Sequence, residues 1–212
     1  LPVPGANAVI DISHHQHVTV TGAKKIAEAG VIAVIHKASE GRDYRDSTYH
    51  ERRKLFKSLG FLWGSYHFSS SASPILQVEN YLNYAEPEAD ELVCLDYEPS
   101  SSGQNMSYGQ MVEFIELVNR EIGRWPVIYG GHLLREVLSN VGQSPVSNCP
   151  LWYARYSNTP IGIPPQWQRW ALWQYSDGNN GQDPKLIPGF GRPDRDTFNG
   201  TLDELKKNWP LS

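Results

Sequence analysis

The sequence predicts an α/β fold, an irregular (β/α) barrel of about eight strands with about five flanking helices that are missing on the late side. Three observations carry that prediction. Short β-rich or aromatic runs alternate with helical segments through roughly residue 140, which points to parallel pairing with right-handed crossovers rather than a sandwich. The stretch 157–193 is then rich in Pro, Gly and Asn, so loops join the late strands. A chain of 212 residues suits one substantial core, since single barrels run to about this size or above; one domain over 1–212 is expected.

The strands are read from runs of β-branched and aromatic residues bounded by turn formers. They are Val9 to Ile12, Val31 to Ala38, Phe61 to Phe68, Leu92 to Tyr97, Pro126 to Tyr129, Leu151 to Tyr156, Trp170 to Tyr175 and Asp194 to Phe198. Helices are expected over about 22–29, 48–59, 74–86, 107–122 and 132–140. The fourth carries Met111, Ile115, Val118 and Ile122 at helical spacing, with Ser107 as its N-cap and Gly123 as its stop. A closing helix over 201–208 opens at Thr201 with Glu204 at the third helical position. The serine stretches Ser69 to Ser73 and Ser100 to Gly103 read as short loops.

Composition excludes several classes of function. Hydrophobic residues make up 40% and charged residues 20%, which is ordinary for a globular protein and rules out wholesale disorder. A net charge of −4 without a basic cluster argues against nucleic acid as a partner. No apolar run is long enough to span a bilayer. Cys94 and Cys149 are too few for a disulfide framework, and neither has a partner at metal-ligand spacing, so no metal or cofactor is expected. The chain starts at Leu1 without a leader, as if an export signal was removed or never existed. With 7 Trp and 11 Tyr against 6 Phe, rings with a polar handle dominate, and such rings suit carbohydrate faces as well as cores.

The most telling stretch is Val93-Cys94-Leu95-Asp96-Tyr97-Glu98-Pro99. Alternation puts Asp96 and Glu98 on one face and turns Tyr97 away, into the layer between barrel and helices. Two carboxyls roughly 6.5–7 Å apart along a strand couple, so that one keeps its proton while the other stays charged, which is the pair that glycosidic cleavage needs. Residues at the C-terminal ends of barrel strands converge on one mouth. Asp11 lies at the first such end, Lys37 with Ser39 and Glu40 at the second, Tyr66-His67-Phe68 at the third and Tyr129 at the fifth. Trp152 and Arg155 belong to the sixth, Trp173 and Gln174 to the seventh, and Asp194 with Asp196 to the eighth. Taken singly, several have structural alternatives: a turn cap at Ser13 for Asp11, a satisfied core site for His67, an ion pair with Arg192 or Arg195 for Asp194.

Seven motifs follow one another along the chain: Asp11-Ile12-Ser13-His14-His15-Gln16, Lys37-Ala38-Ser39-Glu40-Gly41, Gly64-Ser65-Tyr66-His67-Phe68, Leu95-Asp96-Tyr97-Glu98, Ile128-Tyr129, Leu151-Trp152-Tyr153-Ala154-Arg155-Tyr156 and Trp173-Gln174-Tyr175-Ser176. In this order and spacing they resemble the glycoside hydrolase family 25 muramidases, the Chalaropsis-type lysozymes, nearly end to end. The resemblance implies a peptidoglycan hydrolase that cuts the β-1,4 bond between N-acetylmuramic acid and N-acetylglucosamine. It implies Glu98 as general acid, Asp96 as the charged carboxylate beside it, and Asp11 with a late Asp as an acidic floor. Where the family commonly has Asp-x-Asn-x-Phe, this chain reads Asp194-Arg195-Asp196-Thr197-Phe198. Alignment on Phe198 makes Asp194 the late acid, with Asp196 as the alternate.

Tyr66, Tyr129, Trp152 and Trp173 are expected to wall a sugar groove, with His67, Lys37, Arg155 and Gln174 also contacting substrate. Two routes stay open: assistance by the substrate's own acetamido group with retention, or water activated by Asp11 or Asp194 with inversion. Direct attack in the usual retaining arrangement needs roughly 5–5.5 Å between carboxyls, which fits the Asp96 to Glu98 spacing poorly and favours substrate assistance. A non-catalytic glycan-binding barrel and a chitinase-like glycosidase are the alternatives; no Gly-rich Asp-x-x-Asp lead precedes Asp96 to support the latter. By function the protein is expected to act as a monomer, outside the cell or at the wall or periplasm.

Overall fold

Eight strands close on themselves because β1 (Ala6–Ile12) bonds to both β2 (Ala33–Glu40) and β9 (Asp194–Phe198). In this computed structural model, describing residues 2–101 and 103–212, the order around the barrel is β1-β9-β8-β7-β6-β5-β4-β2. Ser102 of the predicted serine loop, like Leu1, lies outside the described residues. The intervening strands are β4 (Leu62–Phe68), β5 (Leu92–Asp96), β6 (Val127–Gly130), β7 (Leu151–Ala154) and β8 (Leu172–Ser176). A two-residue strand, β3 (Tyr44–Arg45), pairs only with the end of β2.

Strands β1, β2 and β4 through β8 run parallel. Helices α1 (Val20–Glu28), α2 (Tyr49–Ser58), α3 (Pro74–Ala85), α4 (Tyr108–Ile122) and α5 (His132–Leu138) fill the early crossovers, and none lies between β7 and β9, as the loop-rich composition predicts. Helix α4 carries the expected capping box, Ser107 with Gln110, and ends at Gly123 with φ 73°. Thr201 and Glu204 likewise cap α6 (Leu202–Asn208). Among the described residues no helix is long and apolar enough to cross a membrane.

The last strand departs from the expected direction. β9 is antiparallel to both neighbours, with Asp11 opposite Asp194 and Val9 opposite Asp196. Its first residue, not its last, therefore stands at the mouth.

Alternation sorts the apolar residues into two layers. Val9, Ile35, Leu92, Cys94, Val127, Leu172 and Phe198 fill the lumen, where Leu205 and Trp209 join them near the closed end. Ile10, Val34, Trp63, Val93, Leu95, Ile128, Tyr153 and Trp173 pack outward against helix residues such as Phe56, Tyr81 and Phe114. Tyr97 lies in that outer layer and donates its hydroxyl to the Met106 carbonyl at 2.7 Å.

Candidate active site

Each of the eight barrel strands sends one side chain into the mouth: Asp11, Lys37, Tyr66, Asp96, Tyr129, Trp152, Gln174 and Asp194 in chain order. With Ser13, His15, Phe68 and Glu98 they line an open cavity of about 220 Å³. Ser13 and Glu98 follow Asp11 and Asp96 by two residues, so the inward face continues past those strand ends, while Phe68 closes β4 on the same face as Tyr66. The loop bearing Ser13 and His15 is fixed from below. Arg52 Nη1 and Nη2 donate to the carbonyls of Ser13 and Gln16 at 2.5 and 2.6 Å, and Asp46 accepts from the His14 N–H at 2.9 Å.

Gln174 is the hub of the mouth. Its Oε1 accepts from the hydroxyls of Tyr129 and Tyr156 at 2.6 and 2.7 Å, and its Nε2 donates to Asp11 and Asp194 at 2.7 and 3.2 Å. These four bonds use the whole capacity of the amide and fix which end faces the acids. On the opposite wall, Lys37 Nζ reaches Glu40 at 2.6 Å and lies 4.9 Å from the Phe68 ring centroid. Lys37 is the one Lys or Arg among the residues lining the cavity.

Four carboxyls around a single ammonium set the electrostatics. Burial, then the charges of Glu98 and Asp11, pushes the Asp96 carboxyl well above its usual range while Lys37 opposes. Burial also raises Glu98, held back by the Tyr129 hydroxyl and Lys37. Asp194 is pushed up to about 9 by burial and by Asp11, Asp177 and Glu98. Asp11 rises through burial and Asp196. Such a site can keep an acid protonated near neutral pH beside a carboxylate that stays charged.

Not every expected residue reaches the cavity. His67 is fully buried between Ser39 Oγ at 2.9 Å and Gln77 Oε1 at 3.2 Å and stacks on Phe114. Burial holds its pKa down to about 4, so it is a neutral core histidine. Trp173 is buried in the outer layer, its Nε1 donating to the Arg155 carbonyl at 2.8 Å. Arg155 shares that outward parity and does not line the cavity. Asp196 faces inward one layer below the mouth, fully buried, and accepts from Trp152 Nε1 at 2.7 Å. Asp194 lines the cavity and bonds Gln174 rather than Arg192 or Arg195. Ser13, His15, Phe68 and Tyr156 were not among the expected contacts, although Phe68 and Tyr156 have the parity of Tyr66 and Trp152.

The sequence model of the glycosyl hydrolases family 25 matches residues 10–183, from within β1 into the loop after β8. The chain belongs to this family. Among solved structures it is similar to a muramidase from Trichobolus zukalii, with 29% identity, a TM-score of 0.79 and coverage of 96% of this chain and 98% of that one. An N,O-diacetylmuramidase from Arthroderma benhamiae is 25% identical over 84% of this chain and 77% of its own length. The uncharacterized protein YegX of Escherichia coli K12 is 29% identical over 80% of this chain, and the match spans 60% of that relative's length.

Proposed function

We propose that this protein is a peptidoglycan hydrolase, a muramidase that cuts the β-1,4 bond between N-acetylmuramic acid and N-acetylglucosamine. The observation that carries the reading is the ring of inward side chains, in which Asp96 and Glu98 share one face of a cavity with Asp11, Asp194 and a single lysine. Family membership and the muramidases that resemble the chain support the choice of glycan. The catalytic domain acts as a monomer on glycan strands outside the cell or at the wall.

Glu98 donates its proton to the glycosidic oxygen as the bond to C1 breaks. The carbonyl oxygen of the 2-acetamido group closes on C1, and the charge of Asp96 steadies the oxazolinium that forms. Water then attacks C1, Glu98 takes up the water's proton, the acetamido oxygen leaves, and the configuration is retained. Burial raises Glu98, which favours the protonated form that the first step needs. Asp194, raised to about 9, is a poor base for the inverting route.

Mass spectrometry of muropeptides released from purified peptidoglycan tests the reading. Products with reducing-end muramic acid are expected. Reducing-end glucosamine, or binding without release, would overturn it. NMR of fresh product reports retention, and an inverted anomer would reject substrate assistance.

A further inference from the structure

Asp11 and Asp196 are diagonal neighbours on the inner face of the antiparallel β1–β9 pair, because Asp11 stands opposite Asp194 and Val9 opposite Asp196. Diagonal side chains on one face come within reach of each other, close enough that a protonated carboxyl of one can donate to the other. The other ligands of both groups are fixed N–H donors. Trp152 Nε1 donates to Asp196 Oδ1 at 2.7 Å, and Gln174 Nε2 donates to Asp11 Oδ2 at 2.7 Å. Asp196 Oδ2 is buried with no N–H or O–H donor on it. A buried acceptor left without a donor is costly, and two carboxylates in contact cannot both be ionised.

We infer that Asp196 is a positioning residue that shares one proton with Asp11, so that the floor of the site carries a single negative charge held low in the barrel and Asp11 cannot serve as the base that activates water. The proton resides on the Asp11 side: each carboxyl has one N–H donor at 2.7 Å, but Asp196 also has the Arg195 guanidinium to stabilise its charge. Burial and the mutual contact raise Asp11 in the same sense. The ionisable groups acting on the pair are Asp194 of β9, Glu98 and Asp96 beyond and on β5, Cys94 of β5, Tyr66 of β4, Tyr129 of β6, Tyr156 beyond β7 and Tyr175 of β8, with Arg195 beside Asp196 on β9. For its consequence in catalysis, though not for the proton itself, this inference rests on the muramidase reading.

The test is infrared difference spectroscopy of protonated carboxyl groups near neutral pH, comparing the protein with Asp11→Asn, Asp196→Asn and the double variant. Both single variants should lose the same one band, and the double variant should lose no more. Two distinct bands, or no loss in either variant, would overturn the inference. Should Asp196→Asn fail to fold, Asp11→Asn alone decides: one band must vanish, with no new one, because the introduced amide donates to Asp196. The spectrum does not depend on substrate, so a protein without muramidase turnover still tests the shared proton.

A second readout separates positioning from simple packing. An amide at 196 donates to Asp11 and moves the negative charge up toward Glu98, so Asp196→Asn should shift the alkaline limb of kcat/KM on purified peptidoglycan to higher pH with KM unchanged. An equal fall in turnover at every pH, with the limb in place, would contradict the positioning role.

Discussion

Gln174 shows at the scale of one residue how the mouth is held. Its side chain is only 1% exposed, and all four of its hydrogen-bonding positions are filled by two tyrosines and two aspartates. Gln174→Ala should therefore cost about 1–3 kcal/mol of unfolding free energy for buried groups left unpaired, read as a lower urea midpoint with unchanged slope. The sequence identifies Gln174 as part of the site from its place at a strand end, but the partners on β1, β6 and β9 come from closure of the barrel. His67 and Trp173 were misplaced for a simpler reason. Each stands next to a true lining residue, Tyr66 or Gln174, and neighbours on a strand face opposite ways.

At the scale of the element, parity along a strand was legible and the direction of the last strand was not. Asp96 and Glu98, Tyr66 and Phe68, and Trp152 and Tyr156 all obey alternation. The antiparallel course of β9 leaves no trace in its five residues, and only its pairing with β1 and β8 shows which aspartate stands at the mouth. Close packing in the lumen gives a second prediction. A Cβ on Gly64 of β4 would sit 2.9 Å from Leu92 Cβ, below any comfortable contact, so Gly64→Ala should destabilise by about 1–3 kcal/mol in thermal unfolding. Trp173→Phe should lower stability through loss of the bond to the Arg155 carbonyl, while KM for peptidoglycan stays at the parent value. A raised KM would return Trp173 to the groove.

The whole molecule joins this site to its pH dependence. Asp194, pushed up to about 9, and Asp11, raised by burial and by Asp196, hold protons in the fold that the unfolded chain releases above about pH 4. Between about pH 6.5 and 8 the native state thus binds more protons than the unfolded state, and stability falls as pH rises. His36 and His67, both held down to about 4 by burial, act in the other direction and at lower pH: the stability they contribute is lost as pH falls from about 6.5 toward 4. The urea midpoint should be lower at about pH 8 than at about pH 6.5, and Asp194→Asn should shrink the difference; an unchanged difference would deny Asp194 its part. The eight-strand plan and seven of the eight mouth residues' strand directions followed from local pattern, whereas the proton balance depends on how deeply closure buries the acids.

The central claim is that Glu98 is the proton donor of this cavity. Turnover of purified peptidoglycan by Glu98→Gln, set beside its melting temperature, tests it most directly. A folded variant with activity reduced by about 10²–10⁴-fold is the predicted result, and a folded variant with near-parental turnover would contradict the account.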